Sequence, residues 1–240
     1  MPYPLLNKQE IEQLSRYRLK LDAAGETVDY LSIADPEQLP DVLDRLTRRL
    51  EAPNACVTAS ILTKRLAFYA VIHLYAMTVL GKRLRVDLRE FKLVDESREE
   101  LWLPVFDFGN FSIEEPVGSR TKWRAQIVEH VFGETLSPVI RRLKEQTRLK
   151  ESIMWENTAL YVHWIYNQIS AIPDLRRLAM DDLHYIFHEA PASAFGASVE
   201  NPLTAFAGTA ELGRSTCCLS YMLKTRNCCN GCPIAPRVQS

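Results

Sequence analysis

Apolar residues recur along most of this chain at three- and four-residue intervals, the spacing of helices that bury one face. Ile11, Leu14, Arg18 and Leu21 form a modest stripe, and Leu39, Leu43, Leu46 and Leu50 a clearer one. The run 56–80 is apolar nearly throughout and reads as a long buried helix that Gly81 can terminate. The period then changes. Leu84, Val86 and Leu88 alternate with charged residues, and Leu101, Leu103 and Val105 alternate again beyond the acidic run at 95–100. This predicts two strands joined by a charged turn, with a third near 108–113. The parity slip between Leu88 and Phe91 marks a bulge or a strand end.

Helical spacing resumes at Thr121, with Trp123, Ile127, Val128 and Val131 on one face. Ser137-Pro138 has the form of an N-cap and first-turn pair. Further helices are predicted over 151–169 and, after Pro173, over 174–188. The stretch 190–213 is rich in Ala, Ser and Gly and reads as a long surface connection or lid. The expected fold class is α+β: a mainly α-helical body over 1–205 with a small antiparallel β-sheet, then a C-terminal segment over 206–240.

Composition narrows the function classes. The chain has 240 residues, 47% hydrophobic and 25% charged, with a formal net charge of −1. That balance gives no electrostatic case for nucleic acid or an anionic membrane as partner. The first dozen residues carry charges and lack the apolar core of a secretory signal. The uncharged stretch 66–80 is short for a bilayer span, so no transmembrane segment and a cytoplasmic location are expected. No nicotinamide, flavin or phosphate-loop fingerprint is visible.

Cysteines change the picture most. Five of the six lie in the last two dozen residues, and Cys217, Cys218, Cys229 and Cys232 spell C-C-x10-C-x2-C, with Cys228 inside the spacer. Clustered thiols in a cytosolic chain point to metal or catalysis rather than a disulfide framework. Cys229 and Cys232 form a knuckle of the zinc-binding kind, with Gly231 freeing the turn and Pro233 stiffening its exit. Adjacent Cys217 and Cys218 diverge and suit a single zinc poorly. Two irons can share such a pair more easily.

The stretch from Arg214 through Cys217, Cys218, Leu219 and Tyr221 to Cys229 and Cys232 resembles the C-terminal 2Fe–2S motif of FhuF-type ferric-siderophore reductases. Two shorter patterns upstream resemble the same family: Ala59-Ser60 with Thr63-Lys64, and Trp155 with Asn157. The resemblance implies a cytoplasmic one-electron reductase that frees iron from a hydroxamate or citrate-type siderophore. It implies Cys217, Cys218, Cys229 and Cys232 as ligands of a 2Fe–2S cluster, and an external electron donor such as a ferredoxin, flavodoxin or flavin reductase. Lys64, Arg65 and Arg214 are candidate substrate-binding residues, and Arg214, Lys224 and Arg226, with backbone N–H groups around Asn230-Gly231, are candidates for tuning the cluster. Two rival functions follow from the same cysteines: an iron–sulfur sensor without catalysis, and a binding domain closed by a zinc clip. His184 and His188 lie one helical turn apart, yet Tyr185 stands where a metalloprotease needs glutamate. They read as surface residues, and His73 and His163 as core residues with satisfied ring nitrogens.

Overall fold

The computed structural model describes residues 6–96, 101–208, 213–224, 228–229 and 231–235. Helix α1, Lys8–Ser15, starts at a capping box: Asn7 Oδ1 accepts from Glu10 N at 2.9 Å, and Glu10 accepts from Asn7 N at 2.8 Å. It is shorter than the stripe through Leu21 predicts. Arg18 turns left-handed at φ 74°, and Leu19 leaves the helix to bridge Phe106.

Strand β1, Glu26–Asp29, leads into the short α2, Tyr30–Ala34, and the amphipathic α3, Leu39–Arg49. Leu39, Leu43, Leu46 and Leu50 are all buried, as the stripe requires. Asn54 then caps α4, Ala55–Tyr75, by accepting from Val57 N at 3.1 Å. This helix continues through a wide π turn, Ala76–Leu80, and stops at Gly81, whose φ of 63° suits a residue without Cβ. Nearly every α4 side chain is buried, which is why its sequence shows no polar stripe. By length and composition Ala55–Leu80 could cross a membrane, yet most of it is covered by the rest of the fold.

The strands differ from the simple hairpin expected. β2, Arg83–Val86, pairs antiparallel with β5, Phe111–Glu114, bringing Val86 opposite Phe111. β3, Lys92–Asp95, lies between β1 and β4, Val105–Asp107, in a separate antiparallel sheet of order β1-β3-β4. The predicted pairing of 84–88 with 101–105 is therefore corrected. The third strand near 108–113 is present as β5, and the parity slip is a strand end. Central β3 escaped the pattern because Leu93 and Val94 are both buried, which erases alternation. Most of the predicted charged turn, 97–100, lies outside the described residues.

α5, Arg120–Glu129, passes through a wide turn, His130–Leu136, straight into α6, Ser137–Thr147. Ser137 is thus inside continuous helix and caps nothing; this corrects the N-cap reading. α7, Glu151–Ser170, packs along α4 as the central helix pair, and α8, Arg176–His184, crosses its far end. Burial of each large apolar side chain in such a pair contributes about 1.5–3 kcal/mol. The connection after α8 is not a loose lid. Phe195, Leu203 and Phe206 anchor it in the core, and Gly133 lets Ala194 O pass so closely that a Cβ would meet it at 2.8 Å. Isolated anchors among small residues carry no periodic signal, so the stretch reads as surface.

Candidate functional site: a cysteine segment held on the central helix pair

Helices α4 and α7 meet at a buried polar contact. Asn157 Nδ2 donates to Ser60 O at 3.1 Å and to Ser60 Oγ at 3.2 Å. Both residues are fully buried. Ser60 Oγ in turn donates to Cys218 O at 2.8 Å, and Arg214 Nη2 donates to Asn157 Oδ1 at 2.8 Å. The two helices therefore grip the C-terminal segment through one connected set of hydrogen bonds. Left unpaired, each such buried group would cost about 1–3 kcal/mol.

Next to Asn157, Glu156 does more. Its carboxylate accepts from Ser215 N at 2.6 Å, Ser215 Oγ at 2.8 Å and Thr216 N at 3.0 Å, and also from Thr216 Oγ1. Arg214 Nη2 completes the set at 3.3 Å. Burial pushes the Glu156 pKa up, but the bonds from Thr216 and Ser215 and the Arg214 charge outweigh it and hold the group ionised below its ordinary value. Three consecutive residues before the cysteine pair are thereby fixed to one point on α7.

The thiols lie just beyond. Cys218 is buried, and Cys217, Cys228, Cys229 and Cys232 are half-buried. Cys218 Sγ lies 3.3 Å from Cys229 Sγ, 3.1 Å from Ser220 Oγ and 3.7 Å from Lys64 Nζ. The Cys229 thiol, then Lys64 and Ser220, pull the Cys218 pKa down against burial, and the same pairing pushes Cys229 up. Leu219 adopts φ 61°, an uncommon geometry for a branched residue, and its N–H points back at Cys217 Sγ at 3.4 Å. Gly231, at φ 68°, closes the second turn, where Cys232 N donates to Cys229 O at 3.1 Å and Arg214 N to Gly231 O at 3.4 Å. Among the described residues no three His, Cys, Asp or Glu side chains already converge on one ion position. Two thiolates on one tetrahedral metal stand about 3.8 Å apart, given bonds of about 2.3 Å. The 3.3 Å separation of Cys218 and Cys229 is within a small opening of that geometry.

Of the expected substrate residues, Lys64 reaches the cysteines as just described. Arg65 is buried, donates to Trp102 O at 2.8 Å and is hydrogen-bonded to Tyr161. Arg214 has a side chain only 1% exposed and is engaged by Glu156 and Asn157. Lys224 is exposed and pairs with Glu51 at 3.1 Å; Arg226 and Asn230 lie outside the described residues. Ser60 and Lys64 of one upstream pattern and Asn157 of the other contact the cysteine segment. Glu156, between Trp155 and Asn157, was missed, although a carboxylate amid an apolar helical run is a signal in its own right. His184 and His188 stack on the surface with ring centroids 4.9 Å apart. His163 is satisfied by Phe206 O at 3.0 Å, but both ring nitrogens of buried His73 lack partners, contrary to expectation.

No curated protein matches the chain. Residues 98–213 carry an FhuF-like ferric iron reductase region, matching the family model described as "Ferric iron reductase FhuF-like transporter", a stretch that contains Glu156 and Asn157 and ends just before Arg214 and the cysteines.

Proposed function

We propose that this protein is a cytoplasmic reductase that adds one electron to Fe(III) held by a siderophore of hydroxamate or citrate type. Ferric iron reduction as the general chemistry rests on the family match. The finer reading rests on the residues. Four thiols at Cys217, Cys218, Cys229 and Cys232, one of them favoured as thiolate, form a soft donor set suited to a 2Fe–2S cluster. Bound there, the cluster would supply a one-electron couple fed by an external ferredoxin, flavodoxin or flavin reductase. Siderophores bind through hard oxygens that prefer Fe(III) to Fe(II), so a single electron releases the metal without an acid–base catalyst.

The chain's own contribution is placement and charge. Glu156, Asn157 and Ser60 fix the segment against α4 and α7, which keeps the thiols at one position on a rigid base. Arg214 shares its charge with Glu156, whereas Lys64 has no carboxylate partner among the described residues and directs its charge at Cys218. Positive charge and hydrogen bonds beside ligand sulfurs raise a cluster's potential. The observation that carries the reading is the Lys64–Cys218–Cys229 contact, because it places paired thiols on a built support. Anaerobically purified protein is expected to be red-brown and, once reduced, to give an electron paramagnetic resonance signal of a 2Fe–2S centre. Colourless protein with one zinc per chain would contradict it and favour a zinc clip.

A further inference from the structure

The four thiols of the cysteine segment are not equivalent. Cys218 is buried, and Ser60 Oγ pins its backbone by donating to Cys218 O at 2.8 Å, whereas Cys217, Cys229 and Cys232 are half-buried. Cys218 Sγ faces Cys229 Sγ at 3.3 Å, close to the spacing of thiolates that share one tetrahedral metal. Cys217 has a separate partner. Leu219, left-handed at φ 61°, aims its N–H at Cys217 Sγ at 3.4 Å. The bond from Arg214 N to Gly231 O at 3.4 Å lays the stretch leading into Cys217 beside the turn that ends in Cys232. Adjacent side chains diverge, so the neighbouring cysteines divide between two irons more readily than they share one.

Hydrogen bonding is unequal as well. Lys64 Nζ donates to Ser220 Oγ at 3.1 Å, which leaves the Ser220 hydroxyl proton free to point at Cys218 Sγ, 3.1 Å away. Lys64 Nζ itself lies 3.7 Å from that sulfur. Cys218 thus meets an ammonium and a hydroxyl, and Cys217 a backbone N–H. An added electron is a negative charge, and it settles where ligand sulfurs are best supplied with cations and hydrogen bonds. Burial of Cys218 opposes this, because it penalises charge. The two irons of so small a cluster share that burial, however, while Lys64 and Ser220 act on one sulfur.

We infer that Cys218 and Cys229 hold one iron of the proposed 2Fe–2S cluster and Cys217 and Cys232 the other, and that Ser220, with Lys64, directs the electron to the Cys218–Cys229 iron. The inference rests on the reductase reading and assigns roles within that same site. Ser220 is a positioning residue: it acts through the Cys218 sulfur and touches no iron. The external donor gives up one electron, and the iron at Cys218 and Cys229 passes from Fe(III) to Fe(II). The reverse change there delivers that electron to the chelated Fe(III), and no bond to sulfur breaks.

Serine ligands test the pairing, because a hard alkoxide favours Fe(III) over Fe(II) at the iron it touches and opposes reduction there. Redox titration of the full chain, followed by its reduced-state electron paramagnetic resonance signal, compares Cys229→Ser with Cys232→Ser. The reduction equilibrium is expected to shift at least about tenfold further, or about 60 mV, in Cys229→Ser. Ser220→Ala leaves every ligand in place and should lower the same equilibrium about threefold. Equal shifts in the two serine variants, a larger one in Cys232→Ser, or a wild-type potential in Ser220→Ala would overturn the inference. If the serine variants do not retain the cluster, metal-free wild-type protein decides the pairing. One equivalent of diamide, an azo oxidant that takes up two electrons and two protons, should first join Cys218 to Cys229, as mass spectrometry would map. A first bridge from either of these to another cysteine would overturn the pairing. A reversed pattern in protein that still forms ferrous iron from a ferric siderophore sinks this inference and spares the reductase reading. The expected pattern in protein that forms none would instead refute that reading.

Discussion

Lys64 Nζ stands 3.7 Å from Cys218 Sγ, joining the middle of α4 to a cysteine 154 residues later in the chain. The same ammonium donates to Ser220 Oγ at 3.1 Å. Lys64→Met removes that charge but keeps most of the side-chain volume. With a 2Fe–2S cluster bound as proposed, its potential is expected to fall by about 60 mV, the equivalent of one tenfold change for a one-electron couple, with Lys64→Arg recovering much of it. Protein-film voltammetry reads the shift. An unchanged potential would mean that Lys64 only packs against the segment.

Glu156 anchors that segment from the other side. Glu156→Ala strands the Arg214 guanidinium, whose side chain is 1% exposed, and such a broken buried pair costs about 3–5 kcal/mol. Glu156→Gln keeps the shape and some of the acceptors and should cost less. Urea unfolding of both variants gives the comparison, with loss of bound iron as a second readout.

The same carboxylate has a pH signature. Its pKa in the fold is below the ordinary value, so the stabilisation is complete above the unfolded pKa, near 4.3, and is lost as pH falls through the folded value. The difference in unfolding free energy between wild type and Glu156→Gln should therefore shrink with acidification below about pH 4. A difference that is constant from pH 7 to pH 3 would show that the carboxylate's charge does not hold the segment.

How much of this was legible beforehand depended on whether burial left a rhythm. α3 and the ending of α4 at Gly81 followed directly from the leucine spacing and the glycine. β3 and the anchored connection through Phe195 and Phe206 did not, because two-sided burial and isolated anchors have no period. The thiols were visible as spacing, and Ser60, Lys64 and Asn157 as short fragments. That these fragments touch the cysteine segment is a fact of long-range packing between α4, α7 and the C-terminal segment, which no local pattern encodes. Arg65 and Arg214 carried the signal of charge, but burial directs them to Trp102 and Glu156.

His73 provides a test away from the cysteines. Its ring nitrogens are buried without partners, and burial, aided by His130 and Arg83, holds its pKa well below the usual value. The unfolded chain takes up a proton near pH 6.5 that the folded chain refuses, so stability should drop as pH falls from there. His73→Phe should flatten that portion of the profile in urea unfolding; an unchanged slope would show that the imidazole takes up its proton within the fold.

The reductase account is tested most directly by single turnover. Protein reduced anaerobically, freed of excess reductant and mixed with a ferric siderophore in the presence of a ferrous chelator should yield about one ferrous ion per cluster as its reduced-state signal disappears. Protein that stays reduced while no ferrous iron forms would contradict the account.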